Sequence, residues 1–361
     1  MTLAIATSRL SPPLLTLLVA GAAGCVAPAR ADPPPDAEDG PITASERRAV
    51  VDALSAALDR RYVFAAKAKA IGAALHGHVQ HGDYDKLVTA QAFARTLTQD
   101  MVALVHDKHL EVRYVQQPLA PAGDRPSPAL AAEEAADERY QNHGIFEVRR
   151  MRFNLGYLNL HAFGRPEPTA DKLGAAMRLL HDTQGLIIDL RDCHGGDTDT
   201  VPLAASYLLP AGTHLIDMYT RAGDTTERIH ARAALAGPRY AADKPVVVLI
   251  GEGTVSGCES FAYMMQAQKR ATVIGAPSAG AAYFGDPQRL TDHFVAFVPI
   301  GRPIDPITHG DWEGTGVSPD VATPPARALE LAERRTLQVL QPREPSRSRK
   351  DAMQKRIQEL N

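Results

Sequence analysis

The chain has 361 residues, 45% of them hydrophobic and 22% charged, with a formal net charge of −3. This is the balance of an ordinary globular protein, long enough for one large domain and a smaller one. No basic stripe is present, which excludes a nucleic-acid-binding surface.

Residues 1–31 read as a signal peptide. Arg9 gives a weakly positive start, Leu14 to Ala20 an apolar run, and Ala29-Arg30-Ala31 the small residues a signal peptidase reads. The apolar run is too short for a stable membrane span. Gly24-Cys25 loosely resembles a lipoprotein site, but Ala22 stands where leucine is usual, so cleavage near Ala31 is expected. The mature protein would then be periplasmic or secreted, beginning with a disordered leader, 32–44, that opens on Asp32-Pro33-Pro34-Pro35-Asp36.

Residues 45–115 are predicted to form a small helical N-terminal domain. Val50, Val51, Leu54, Ala57 and Leu58 make one stripe, and Phe93, Leu97, Met101, Leu104 and Val105 another. Ser45 followed by Glu46 marks a helix start. Leu110 to Val115 alternates as a strand does. Residues 116–143, rich in proline, alanine and acid, read as a linker with room for one short helix.

Residues 144–335 alternate between strand and helix. Strands are predicted at 155–160, 186–190, 246–250, 272–274 and 294–298, and helices at 171–184, at 199–209 and from Phe261. The pattern implies an α/β core with a mainly parallel sheet and active groups in the loops at strand ends. The tail, 336–361, is helical and charged, broken at Pro342 and Pro345.

Four stretches carry chemistry. Val246 to Ile250, then Gly251 to Val255, deliver Ser256 to the start of a helix, where unpaired N–H groups suit a reaction that develops an oxyanion. Ser256 with Glu259 also fits a plain capping box. Asp189-Leu190-Arg191-Asp192-Cys193-His194-Gly195-Gly196 places a glycine pair after a buried strand. Its bare N–H groups can donate to an anion, or simply serve a tight turn. Arg191 reads as a structural partner of a carboxylate. His106-Asp107-Lys108-His109 closes the second helical stripe, and its two histidines lack an evident third metal ligand. Glu313, in the glycine loop Trp312 to Asp320, would orient a histidine placed beside it. Cys193 and Cys258, the cysteines left after cleavage, fit either a bridge or two buried thiols.

Together these stretches resemble the tail-specific (C-terminal processing) serine peptidase family, in the branch of the interphotoreceptor retinoid-binding protein modules and the tricorn core. Thr254-Val255-Ser256-Gly257-Cys258-Glu259 is similar to the nucleophile motif T-x-S-A/G-x-E. Asp189-Leu190-Arg191 with Gly195-Gly196 is similar to D-L-R-x-x-x-G-G, and Asp107-Lys108-His109 to D-x-H. Glu313 to Asp320 is similar to E-G-x-G-V-x-P-D, and Ile274-Gly275-Ala276-Pro277-Ser278-Ala279-Gly280 to I-G-x-x-T-A-G. The matches keep the family order. The resemblance implies a ClpP/crotonase-like core, a serine-type peptidase, Ser256 as nucleophile, His109 as base and Glu313 as its orienting partner. It also implies an oxyanion hole from Gly257 with Gly195 or Gly196, a peptide or unfolded protein as substrate, and no metal or organic cofactor.

Two departures matter. The family's lysine-base loop here reads Ser278-Ala279-Gly280-Ala281-Ala282, without lysine, which leaves the base to His109. No stretch reads as a PDZ domain. Lys108 and Leu110 also replace the commoner small residue and threonine. The same fold occurs in non-catalytic carriers of retinoid- or fatty-acid-like ligands, the alternative function. An acyl-CoA-type crotonase-like enzyme shares the fold but sits poorly with an export signal.

Overall fold

The computed structural model describes residues 40–119 and 128–361. The expected signal peptide and most of the leader lie outside them. Residues 40–44 are a correction to the leader as predicted: Pro41 bridges Thr89, the Ile42 N–H donates to Val88 O at 3.2 Å, and Ile42 is buried.

Three helices follow: α1 (Ala44–Arg61), α2 (Ala65–His81) and α3 (Ala90–Val105). Helix α1 starts at Thr43 rather than Ser45. Thr43 Oγ1 accepts from the Glu46 N–H at 3.2 Å while Glu46 Oε2 accepts from the Thr43 N–H at 2.8 Å, a reciprocal cap one turn wide. The predicted stripes are the buried faces, except that Leu104 is exposed. Helix α3 ends where His106 turns to φ 57°.

The remaining elements are β1 (Glu111–Tyr114), α4 (Pro128–Tyr140), β2 (Ile145–Arg150), β3 (Leu155–Leu160), α5 (Pro166–Leu180), β4 (Gly185–Asp189), α6 (Thr200–Ser206), β5 (His214–Thr220), β6 (Thr225–His230), β7 (Val246–Ile250), α7 (Gly257–Ala267), β8 (Thr272–Gly275), β9 (Phe284–Arg289), β10 (Phe294–Ile304), β11 (Val321–Ala322), α8 (Pro325–Leu340) and α9 (Arg347–Glu359). The short helix allowed for in the linker is α4.

The larger sheet runs β11-β8-β7-β4-β3-β2, parallel throughout except for the antiparallel β2–β3 pair. Strands β4 and β7 are buried along their whole length, as continuous apolar runs predict. Alternate side chains serve two layers. Leu186, Ile188, Val246 and Val248 face a core with α5, α6 and α7; Ile187, Val247 and Leu249 face Ala328 and Ala332 of α8. The molecule is therefore mixed α/β, with a parallel sheet and a helical N-terminal region.

Residues 294–298 do not extend that sheet. They open β10, the middle of a second, antiparallel sheet, β1-β10-β5-β6, with β9 also on β10. The cause is visible in β10, where Phe294, Ala296 and Val298 are buried and the residues between them are not. Such alternation marks a sheet with only one face on a core. That core is the N-terminal helices: Phe294, Ala296 and Val298 pack with Val50, Leu54, Phe93 and Leu97. The front segment and the α/β unit thus share a hydrophobic core. The tail is docked as well, with Met353 and Ile357 of α9 packed on Leu155, Leu337 and Leu340. Among the described residues no helix is long and apolar enough to cross a membrane.

Candidate active site

The turn after β7 is threaded against the turn after β4. Thr254 Oγ1 donates to Leu190 O at 2.7 Å and accepts from the Gly251 N–H at 3.0 Å, while the Val255 N–H donates to Cys193 O at 2.9 Å. A side chain at Gly253 would begin 2.5 Å from Arg191 O, so only glycine fits there. The chain then bends sharply: Ser256 has φ 52° and ψ −119°. A non-glycine residue held in such a region costs about 1–3 kcal/mol. Strand, tight turn and helix with a strained serine between them have the form of a nucleophile elbow, with Ser256 at the candidate position.

Glu259 does more than the expected cap. Its Oε2 accepts from the Ser256 N–H and the Ala281 N–H, each at 2.8 Å; its Oε1 accepts from Ser278 Oγ at 2.5 Å and the Gly280 N–H at 2.7 Å. The side chain is fully buried. Burial raises its pKa above the ordinary carboxylate value, and the four donors offset only part of that rise. Glu259 therefore pins the 278–281 segment to the serine turn.

His109 follows the left-handed end of α3. Asp107 Oδ1 accepts the His109 backbone N–H at 2.9 Å, and Asp107 Oδ2 accepts the Tyr62 hydroxyl at 2.9 Å. The imidazole Nδ1 lies 3.3 Å from Asp107 Oδ1 and 3.4 Å from Glu313 Oε1, with all three side chains at least nine-tenths buried. These are charge contacts, off the alignment of good hydrogen bonds: neither ring nitrogen of His109, nor Glu313 Oε1, has a hydrogen-bond partner among the described residues. Burial alone would depress the imidazole pKa, but Asp107 and Glu313 outweigh it and raise the value to about 9.

Glu313 is fixed from its other oxygen. Oε2 accepts from the Ala282 N–H at 2.7 Å and the Tyr283 N–H at 3.2 Å, and Trp312 Nε1 donates to Ala281 O at 3.1 Å. Residues 278–283 are thus a common spine. Ala281 is held by Glu259, beneath Ser256; Ala282, next to it, is held by Glu313, against His109. The structure brings His109, Asp107 and Glu313 into contact and joins Ser256 to them through this spine. The Ser256 hydroxyl and the His109 ring are not hydrogen-bonded to each other.

The glycine pair has φ 107° at Gly195 and 135° at Gly196, both in the region that favours glycine. The Gly195 N–H donates to the Cys258 sulfur at 3.0 Å. The Gly196 and Gly257 N–H groups donate to no described group, and an added Cβ on Gly257 would lie 3.5 Å from Gly196 N. Cys193 and Cys258 form a disulfide, which decides between the two possibilities the sequence leaves open. Arg191 is structural, as expected: it pairs with Asp189 at 2.6 Å and donates to Pro325 O at 2.5 Å.

Asp107, His109 and Glu313 also offer one ligand atom each within 4.8 Å of one another, making them the described residues able to hold a metal ion. His106, whose pair with His109 lacks an evident third metal ligand in the sequence, is exposed at the end of α3 and outside this group. Sequence reasoning missed Asp107 and Glu259 as site residues. Both lie inside the quoted motifs, which was the available signal.

Comparisons with known proteins identify the family of both parts of the chain. A profile of peptidase family S41 matches residues 154–323, and one of the N-terminal domain of peptidase S41 in eukaryotic IRBP matches residues 42–145. The carboxyl-terminal-processing protease of Synechocystis is 28% identical over 172 residues, 46% of this chain and 37% of that protein. The chloroplastic carboxyl-terminal-processing peptidase 2 of Arabidopsis thaliana is 26% identical over 170 residues, 47% of this chain and 32% of that protein. The matched region thus spans about a third of the length of these curated relatives. A solved lipoprotein structure from Streptococcus agalactiae superposes with a TM-score of 0.52 at 15% identity, covering 81% of this chain and 96% of that one, which is a likeness of fold. With both profiles falling in chain order on the two parts of the fold that meet at His109 and Glu313, the chain belongs to peptidase family S41.

Proposed function

We propose that this protein is a serine-type peptidase that cleaves peptides or unfolded proteins through Ser256, His109 and Glu313. The observation that carries the reading is the buried imidazole set against Glu313 on the same backbone spine that is tied beneath a strained serine. Ser256 Oγ attacks the scissile carbonyl, and its proton passes to His109 Nε2. Glu313 and Asp107 flank Nδ1 and stabilise the imidazolium that forms. The carbonyl oxygen, now an oxyanion, receives the N–H groups of Gly257 and Gly196; Gly195 is spent on the sulfur. The tetrahedral adduct collapses as the leaving amine takes the proton from Nε2, and water then hydrolyses the acyl-enzyme. The hydroxyl–imidazole contact absent in the unliganded protein forms on substrate binding, as catalytic hydrogen bonds commonly do. The site needs no metal in this scheme.

The buried disulfide supports the export reading, since such bonds persist in oxidising compartments. An apolar-ligand carrier would give the buried charges at 107, 109 and 313 no task.

The test is turnover of an unfolded protein substrate by the wild type and by Ser256→Ala. Loss of about 10⁴-fold or more is expected. A Ser256→Ala protein that cleaves at the wild-type rate overturns the assignment.

A further inference from the structure

The Cys193–Cys258 bridge joins the turn after β4 to the first turn of α7, across 65 residues of sequence. Residues 194–197 have two sides. Toward the end of β3 they are held by ordinary backbone bonds: the His194 N–H donates to His161 O at 2.9 Å, the Phe163 N–H to Gly195 O at 2.8 Å and the Asp197 N–H to Phe163 O at 2.8 Å. Toward α7 the hold is different. The covalent link and the Gly195 N–H bond both end on the sulfur of Cys258, two residues past the serine, while the Val255 N–H to Cys193 O bond at 2.9 Å holds the near side of the turn one residue before the serine.

The geometry points to this disulfide as the positioning device of the oxyanion pocket: it sets where the Gly196 N–H stands relative to Ser256 and Gly257. The inference rests on the hydrolytic reading of Ser256 and adds to it two residues that never touch substrate. One pocket donor sits in the turn after β4 and the other at the first residue of α7, so their spacing is not fixed by any one secondary-structure element. Gly195 and Gly196 take positive φ without the penalty a Cβ would bring, so the α7 side of the turn can shift once released while its β3 side stays bonded. An oxyanion donor works within about 2.7–3.1 Å of the oxygen, and a displacement of about 1 Å can cost 10²-fold in rate. Both cysteines are fully buried, so the link is a permanent strut rather than an accessible switch.

The experiment compares the full-length wild type with Cys193→Ala/Cys258→Ala. Rates are normalised to the folded fraction, measured by near-ultraviolet circular dichroism at the assay temperature. Two quantities are read: kcat and KM for a peptide substrate, and the inhibition constant of a peptide boronate, whose tetrahedral oxygen occupies the pocket. The expected result is a fall in kcat of about tenfold to hundredfold with KM within about twofold, and boronate affinity weakened by the same factor as kcat. Unchanged kcat and boronate affinity per folded molecule overturn the proposal. So does a kcat loss without a boronate loss, or a loss that disappears on normalising. A wild type that neither cleaves peptide nor binds boronate overturns the hydrolytic reading instead, which keeps the two failures apart.

Discussion

His109 sits between two carboxylates, so the pH dependence of the reaction is set by which state of the ring they favour. With its pKa raised to about 9, the imidazole is largely protonated at neutral pH and must lose that proton before it can act as a base. kcat/KM should therefore rise with pH toward a midpoint near 9, read from a rate profile on the free enzyme. Asp107→Asn removes one of the two charges and should move that midpoint down toward the ordinary histidine value. The stability contribution has the opposite sense. Because the folded pKa lies above the unfolded value, stability from this ion cluster is fully present below about pH 6.5 and is lost as pH climbs through about 9. Glu313→Gln keeps the shape but removes the charge facing Nδ1, and should lower kcat by about 10²–10⁴ with a smaller effect on KM. Chelators should leave turnover unchanged, because in this scheme the two carboxylates stabilise the His109 imidazolium rather than hold a metal ion.

At the scale of elements, the spine at 278–283 is the part on which two carboxylates pull. Glu259→Ala would leave Ser278 Oγ and the N–H groups at 256, 280 and 281 without this acceptor, buried at 278 and 280 and half-buried at 256 and 281. Each such group costs about 1–3 kcal/mol, so a total loss of several kcal/mol is expected by denaturant melting, together with loss of activity. This role was hidden because the sequence offers a sufficient local reason for Glu259, the cap, and hydrogen bonds to positions 278–281 have no local signature. The buried strands β4 and β7 and the stripes of α1 and α3 were legible because their periodicity is itself the burial pattern. The β5–β6 hairpin was not: β6 is almost wholly exposed and shows no apolar alternation. Strand β10 was recognised, but its partner sheet was not, since alternation reveals a half-buried strand without naming what it pairs with. Ser256 and Glu313 were legible as motif residues; the disulfide stayed open because two cysteines carry no pairing information.

At the scale of the molecule, the proposed base and nucleophile come from separate parts of the chain, His109 from the helical front segment and Ser256 from the α/β unit, and these two parts share a hydrophobic core. The side chains of β10 that pack beneath α1 and α3 hold the segment carrying His109 against the loop carrying Glu313. Phe294→Ala should cost about 3–5 kcal/mol in unfolding. It should also depress activity beyond the unfolded fraction, because the same packing aligns the site. The most direct measurement of the central claim is the site and rate of covalent labelling by a fluorophosphonate, followed by peptide mass spectrometry from pH 6 to 10. The account predicts a single adduct at Ser256, forming faster as pH rises and strongly slowed in His109→Ala. No adduct at Ser256 across that range, or one that forms at the same rate without His109, contradicts it.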